Sequence, residues 1–158
     1  MTTETAGGPV PGVPPETAPL LVLQNVYLKD CSYESPLGPR LEGNWNPQIN
    51  LDLQSNSTVL STDLREVVLT VTVSAKQGET TLFLVEVKQA GAFLMRNLPD
   101  TELKRAVSTV CPGVLFPYAR AVVSQLVTQG GFPQFLLPPV NFDALYAANQ
   151  PQAPTATN

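Results

Sequence analysis

The residues most able to do chemistry are three carboxylates and the leucine among them: Asp30, Glu34, Leu84 and Glu86. Carboxylates serve as general acids and bases, or meet a basic partner at an interface. The groups that usually complete a catalytic site are missing from the sequence. There is no histidine, which excludes Ser-His-Asp and Cys-His catalysis and every histidine-containing metal site. Cys31 and Cys111 are the only cysteines, and they fit no ligand spacing. They form a disulfide or stand as two buried thiols. Buried thiols are the favoured reading, because an isolated cysteine behaves as a small hydrophobe and suits a reducing compartment. No metal or cofactor is implied. An acid or base at Asp30 or Glu86 would lack both a substrate cleft and a glycine-rich phosphate loop, which leaves a non-enzymatic role as the expectation.

A second surface is signalled by greasiness. The stretch Gly131–Pro139 is too apolar for an ordinary connector. Its Phe132, Phe135, Leu136 and Leu137 either fold down to finish the core or wall an open groove for apolar segments of other chains. Trp45 and a last helix carrying Phe142, Leu145 and Tyr146 would supply the other wall. Such a groove needs apolar side chains without a fixed polar constellation, since its clients share greasiness rather than sequence.

Composition narrows the partners. The formal net charge is −4 with no basic cluster, which argues against binding nucleic acid through its phosphates. No run approaches the roughly 20 apolar residues of a membrane span, so no direct membrane insertion is expected. Met1–Pro19 lacks the basic start and apolar centre of a signal peptide, and the expected location is cytoplasmic. That segment holds five prolines and three glycines and reads as a disordered tail. Residues 20–146 read as the folded domain, and 147–158 as a flexible tail without charge.

Periodicity defines the elements that carry these residues. A period of two predicts strands at 21–34, 48–53 (with a possible extension to 60), 64–76 and 81–91. In the first, Leu21, Leu23, Tyr27, Cys31 and Tyr33 share one face, while Leu28, Asp30 and Glu34 share the other. In the fourth, Val85, Val87 and Gln89 oppose Leu84 and Glu86. Gln77-Gly78 reads as the hairpin turn. Strands end near Ala92. A short helix is expected at 99–108, and a main helix starting between Pro112 and Phe116. Leu115, Ala119, Val122, Val123 and Leu126 form its stripe, and Gly130-Gly131 ends it. Asn141 caps a last helix. Strands followed by helices predict an α+β fold, a four-stranded antiparallel sheet with helices packed on one face.

VYLKDCSYESP at 26–36, TLFLVEVKQAG at 81–91, CPGVLFPYAR at 111–120 and FPQFLLPPVNFDALY at 132–146 together resemble the SecB family of protein-export chaperones. The resemblance covers about Val26 to Tyr146. It implies a SecB-like dimer-of-dimers tetramer that binds unfolded precursor proteins without ATP. It also implies delivery of those precursors to the SecA motor ATPase for export across the inner membrane. By the same resemblance Asp30, Glu34, Leu84 and Glu86 are the SecA-docking positions. Val85, Val87 and Gln89 fall where the family's assembly is influenced, and Leu115, Val122 and Leu126 lie on the helix where subunits are expected to meet. The competing readings are a small carboxylate-dependent enzyme and a structural oligomerisation module without clients.

Overall fold

The structure is a computed structural model, and it describes residues 12, 16–40 and 43–150. Four strands, β1 (Leu20–Glu34), β2 (Gln48–Val59), β3 (Leu64–Gln77) and β4 (Thr80–Arg96), form one antiparallel sheet in the order β1-β4-β3-β2. Alternation in β3 is strict. Val67, Leu69, Val71, Val73 and Ala75 are fully buried on one face, while Val68, Thr70, Thr72 and Ser74 stand on the other. The antiparallel α+β architecture expected from the sequence is therefore present. β4 runs to Arg96 rather than ending near Ala92, with Phe93 and Met95 buried on the same face as Val87. Gly91 and Ala92 weaken the strand signal. Gly91 is nonetheless needed there, because a Cβ would lie 2.8 Å from the Phe93 ring and 3.0 Å from Leu115. The β3–β4 turn is Gly78-Glu79, one residue later than expected, and Gly78 takes the left-handed φ of 61°.

β1 departs from its expected faces. Bulges fall between Leu23 and Asn25 and between Leu28 and Asp30. Each extra residue reverses the parity of the residues after it. Tyr27 therefore stands on the outer face opposite Ala90, and Leu28 on the inner face opposite Gln89, the reverse of the sequence expectation. The second bulge restores the parity, and Asp30 and Glu34 face outward as expected. Cys31 is exposed at this sheet edge while Cys111 is fully buried, and both are free. The expectation of two buried thiols holds for Cys111 alone. Burial pushes the Cys111 thiol up to about 12.

The inner face is covered by α1, one helix over Asp100–Gln129 instead of a short helix followed by a main one. A π turn at Ala106–Val110 joins its two α-helical parts. It includes Ser108, four residues before Pro112, the position whose carbonyl a regular α-helix would turn against a proline ring, so the wider turn falls where that clash would arise. By length and composition this helix could cross a membrane. Here its apolar side lies on β4 and β3, where Leu115, Phe116, Ala119, Val123 and Val127 are buried. Val122 and Leu126 are half-buried at the flank. The helix ends in a Schellman motif: Phe132 N–H donates to the Val127 carbonyl at 3.3 Å and Gly131 N–H to that of Thr128 at 3.0 Å. Gly131, at φ 86°, is the left-handed residue that this motif demands. A last helix, α2 (Phe142–Ala148), is capped by Asn141, whose Oδ1 accepts from Ala144 N–H at 3.0 Å.

Most of both expected tails lies outside the described residues. Within them, Asn97 Nδ2 donates to the carbonyls of Glu16 (2.6 Å) and Ala18 (3.2 Å), which ties the chain before β1 to the end of β4. α2 extends two residues into the expected C-terminal tail, to Ala148.

Candidate docking face and client groove

α1 leaves the outer face of the sheet bare. Cross-strand pairing builds one patch on it: Glu34 opposite Leu84, Ser32 opposite Glu86, and Asp30 opposite Lys88. The four residues singled out from the sequence thus lie within three adjacent rows. Leu84 is 39% exposed and lies in the end row, beside Glu34 and Glu86. Glu86 and Lys88 make a loose 4.0 Å pair; at this exposure it contributes little. Among the described residues, Asp30 is exposed and Glu86 half-buried. They occupy an open sheet surface, a geometry suited to a partner's face and unsuited to enclosing a small substrate.

One row-skipping cluster adjoins this patch. Both carboxylate oxygens of Glu66 on β3 are engaged from β1, one by the Tyr27 hydroxyl and the other by the Lys29 ammonium at 2.5 Å. The cluster bridges over β4 because Ala90 and Ala92 place only methyl groups between the outer strands. Lys29, then Tyr27, hold the Glu66 carboxyl below the usual range. Accepting that hydrogen bond, Glu66 pushes the Tyr27 hydroxyl up to about 12. Sequence reading missed this cluster because the bulge hides which face Tyr27 takes.

The groove is on the other side of the sheet. α1 covers β4 and β3 and leaves the inner face of β2 to be roofed by the returning chain. That chain is anchored by an edge contact between the Phe116 and Phe142 rings at 5.9 Å and by an Arg105–Asp143 ion pair at 3.2 Å. Between β2 and this roof lies an open groove of about 900 Å³. Leu51, Leu53 and Leu69 make its floor, Pro138, Pro139, Val140 and Leu145 its wall. Asp52, Gln54, Ser55, Ser108, Asn141, Asn149 and Gln150 add polar groups to the lining.

Of the residues expected to line a groove, Phe142, Leu145 and Tyr146 do. Phe142 is nonetheless buried, while Leu145 is 45% exposed. The loop divides between core and surface. Phe132 and Leu137 are core residues, Phe135 is half-buried, and Leu136 is 59% exposed. Trp45 does not reach this groove. Its ring packs on Phe132 at 5.8 Å, and Phe132 on Phe83 at 5.3 Å, which closes the far end of the core. The floor residues Leu51 and Leu53 were missed as site residues. Their signal was an apolar alternation on an edge strand that one helix is too narrow to cover.

Among the positions tied to assembly, Val85, Val87 and Leu115 are fully buried within the chain. Gln89 is buried too, and its Nε2 donates to the Tyr27 carbonyl at 3.0 Å. The helix row that the sheet leaves uncovered is Val110, Val114 and Tyr118, which the half-buried Val122 and Leu126 continue.

An open apolar groove and a bare, acid-studded sheet face on one small α+β scaffold define a class: a protein that holds other polypeptides. Comparison with known proteins makes the class specific. The family model for SecB, preprotein translocase subunit SecB, matches residues 15–153. The protein-export protein SecB of Psychrobacter arcticus is 45% identical over 143 residues, covering 90% of this chain and 97% of that one. The SecB of Pseudomonas aeruginosa PAO1 is 49% identical over 138 residues, covering 86% and 85%. The chain belongs to the SecB family of protein-export chaperones. In fold it is similar to the SecB-like chaperone Rv1957 of Mycobacterium tuberculosis, solved with a ChAD peptide from the HigA1 antitoxin. That match has a TM-score of 0.66 at 14% identity and covers 76% of this chain and 90% of that one.

Proposed function

We propose that the protein is a cytoplasmic, ATP-independent holdase that keeps precursor proteins unfolded and passes them to the SecA motor. The groove is the observation that carries this reading: about 900 Å³, open, and lined chiefly by leucine, proline and aromatic residues, with a minority of polar groups. A surface of this kind takes apolar segments of many sequences. We assign the client surface to Leu51, Leu53, Phe142, Leu145 and Tyr146, with Leu136 and Phe135 on the adjoining loop. Trp45, Phe132 and Leu137 support it from the core.

The outer face is the proposed SecA dock. Leu84 supplies an exposed apolar contact, and Asp30, Glu34 and Glu86 supply carboxylates for a basic partner, the mixed composition of a recognition surface. Client and motor then occupy opposite sides of one sheet and need not compete for space. Assembly as a dimer of dimers multiplies weak client contacts into avidity. The exposed row Val110, Val114 and Tyr118 supplies apolar surface for that assembly.

The test mixes the purified protein, at stoichiometric ratio and without nucleotide, with a chemically unfolded substrate and follows aggregation by light scattering. Suppression is expected, and its absence would refute the holdase. The Glu86→Lys variant is expected to suppress aggregation equally well but to bind SecA more weakly in a titration. Unchanged SecA affinity in that variant would remove the docking assignment.

A further inference from the structure

Lys29 poses a problem for the docking face. It is next in sequence to Asp30, and in a regular strand the two would point to opposite sides of the sheet. The bulge between Leu28 and Asp30 places both on the outer face. Asp30 pairs across to Lys88 there, and the Lys29 ammonium reaches Glu66 on that same face. A free ammonium beside Asp30 would neutralise a carboxylate that the dock requires. Lys29 does not take that position. It crosses β4, over the methyl groups of Ala90 and Ala92, to a carboxylate two strands away.

Glu66 is built to hold it there. Its side chain is only 12% exposed against 47% for Lys29, and its second oxygen is fixed by the Tyr27 hydroxyl. From the inner side Gln89 holds the Tyr27 carbonyl, two residues before the bulged Lys29. The cluster is thus anchored on both faces. Asp30, in contrast, makes no hydrogen bond or ion pair among the described residues. We propose that Glu66 is a positioning residue of the docking face, one that sequesters the Lys29 ammonium so that Asp30 stays unpaired for a partner's cation. This inference rests on the docking reading above.

The charge logic makes a distinctive prediction. Glu66→Gln keeps the size of the side chain and an acceptor for Tyr27, but it releases Lys29. SecA affinity at low ionic strength is expected to fall about threefold, the size of one exposed ion pair, and the loss should shrink as salt rises. Removing both charges in Lys29→Gln/Glu66→Gln should restore wild-type affinity, because residue 29 then has no ammonium to release onto Asp30, while Lys88 opposite Asp30 is the same in every variant. Lys29→Gln alone should bind within about twofold of wild type, since Lys29 is already masked. A purely structural cluster predicts the opposite pattern, in which the double variant is at least as weak as Glu66→Gln. Wild-type affinity in Glu66→Gln, or no recovery in the double variant, overturns the proposal. Should Glu66→Gln fail to assemble, Lys29→Gln decides alone, and a change beyond twofold in either direction overturns it. Glu86→Lys measured beside them separates the two levels. If it weakens SecA binding and the Glu66 series does not behave as stated, the sequestration fails and the dock survives. If it has no effect, the dock itself fails.

Discussion

Tyr27 shows how far one hydrogen bond shapes the titration of this sheet. Its hydroxyl donates to Glu66, and its pKa rises from 10.0 to about 12. A folded-state value above the unfolded one contributes stability that is fully present below about pH 10 and is lost as pH rises through about 12. Glu66 works in the other direction. Its folded value is lowered, by Lys29 first and then Tyr27, so its contribution is present above the ordinary 4.5 and lost as pH falls through the folded value. The cluster therefore fastens β1 across the whole neutral range. Near-ultraviolet titration of the folded protein is expected to show a tyrosine ionising near pH 12, and Tyr27→Phe is expected to abolish that step. A late step that persists in the variant would belong to another tyrosine and would mean that the Tyr27–Glu66 contact does not form in solution.

At the scale of elements, the junction that matters most is the end of α1. Gly130 closes the helix with ordinary right-handed φ, so its lack of a side chain answers to space rather than to backbone strain. A Cβ there would fall 1.8 Å from the Tyr33 hydroxyl oxygen and 2.5 Å from the carbon that bears it. The ring of an inward residue of β1 thus lies directly against the helix terminus. Next to it, Gly131 meets Pro39 of the β1–β2 connector, whose ring would be 3.0 Å from an added Cβ. Ala at position 130 gains helix propensity of at most ~1 kcal/mol and loses about 1–3 kcal/mol to overpacking. Gly130→Ala is expected to lower the urea midpoint, and to do so far less in a Tyr33→Ala background, where the obstructing ring is gone. Equal losses in both backgrounds would show that Tyr33 is not the obstacle.

The same scale explains what could be read from the chain. β3 was legible because both its faces are set by its own alternation, from Val67 to Ala75. The helix stop was legible because Gly130-Gly131 is a local signal. β1 was legible as a strand, but the faces of Tyr27 and Leu28 between its bulges were not, because the bulges depend on how β4 receives it and parity cannot be counted through an extra residue. The single long helix was hidden by Pro112, which reads as a start and is instead absorbed by the π turn before it. For the candidate site, the acidic positions survived because the second bulge restored the parity of Asp30 and Glu34. The groove residues were only partly legible. Phe132, Leu136 and Leu137 have the same apolar character in sequence, and only the packing around Phe83 and Trp45 decides which of them is core.

At the scale of the whole molecule, one chain covers only one side of α1. Leu115, Ala119, Val123 and Val127 face the sheet and are buried. Val110, Val114 and Tyr118, at successive positions of an i, i+4 row on another side, remain exposed, Tyr118 by 49%. In the proposed tetramer this row is apolar surface that self-association would remove from water. It also separates assembly from folding, because Tyr118 contributes little to the core of its own chain. Tyr118→Asp is therefore expected to leave far-ultraviolet circular dichroism unchanged and to lower the mass measured by light scattering below that of a tetramer. Suppression of aggregation should fall with it at equal chain concentration, because each particle then offers fewer grooves and loses the gain from multivalent contact. A tetramer mass retained by Tyr118→Asp would move the interface elsewhere, with the exposed edges β1 and β2 as the next surfaces to vary. A smaller species that suppressed aggregation as well as wild type would instead show that one groove is enough to hold a client, and that assembly serves the motor face.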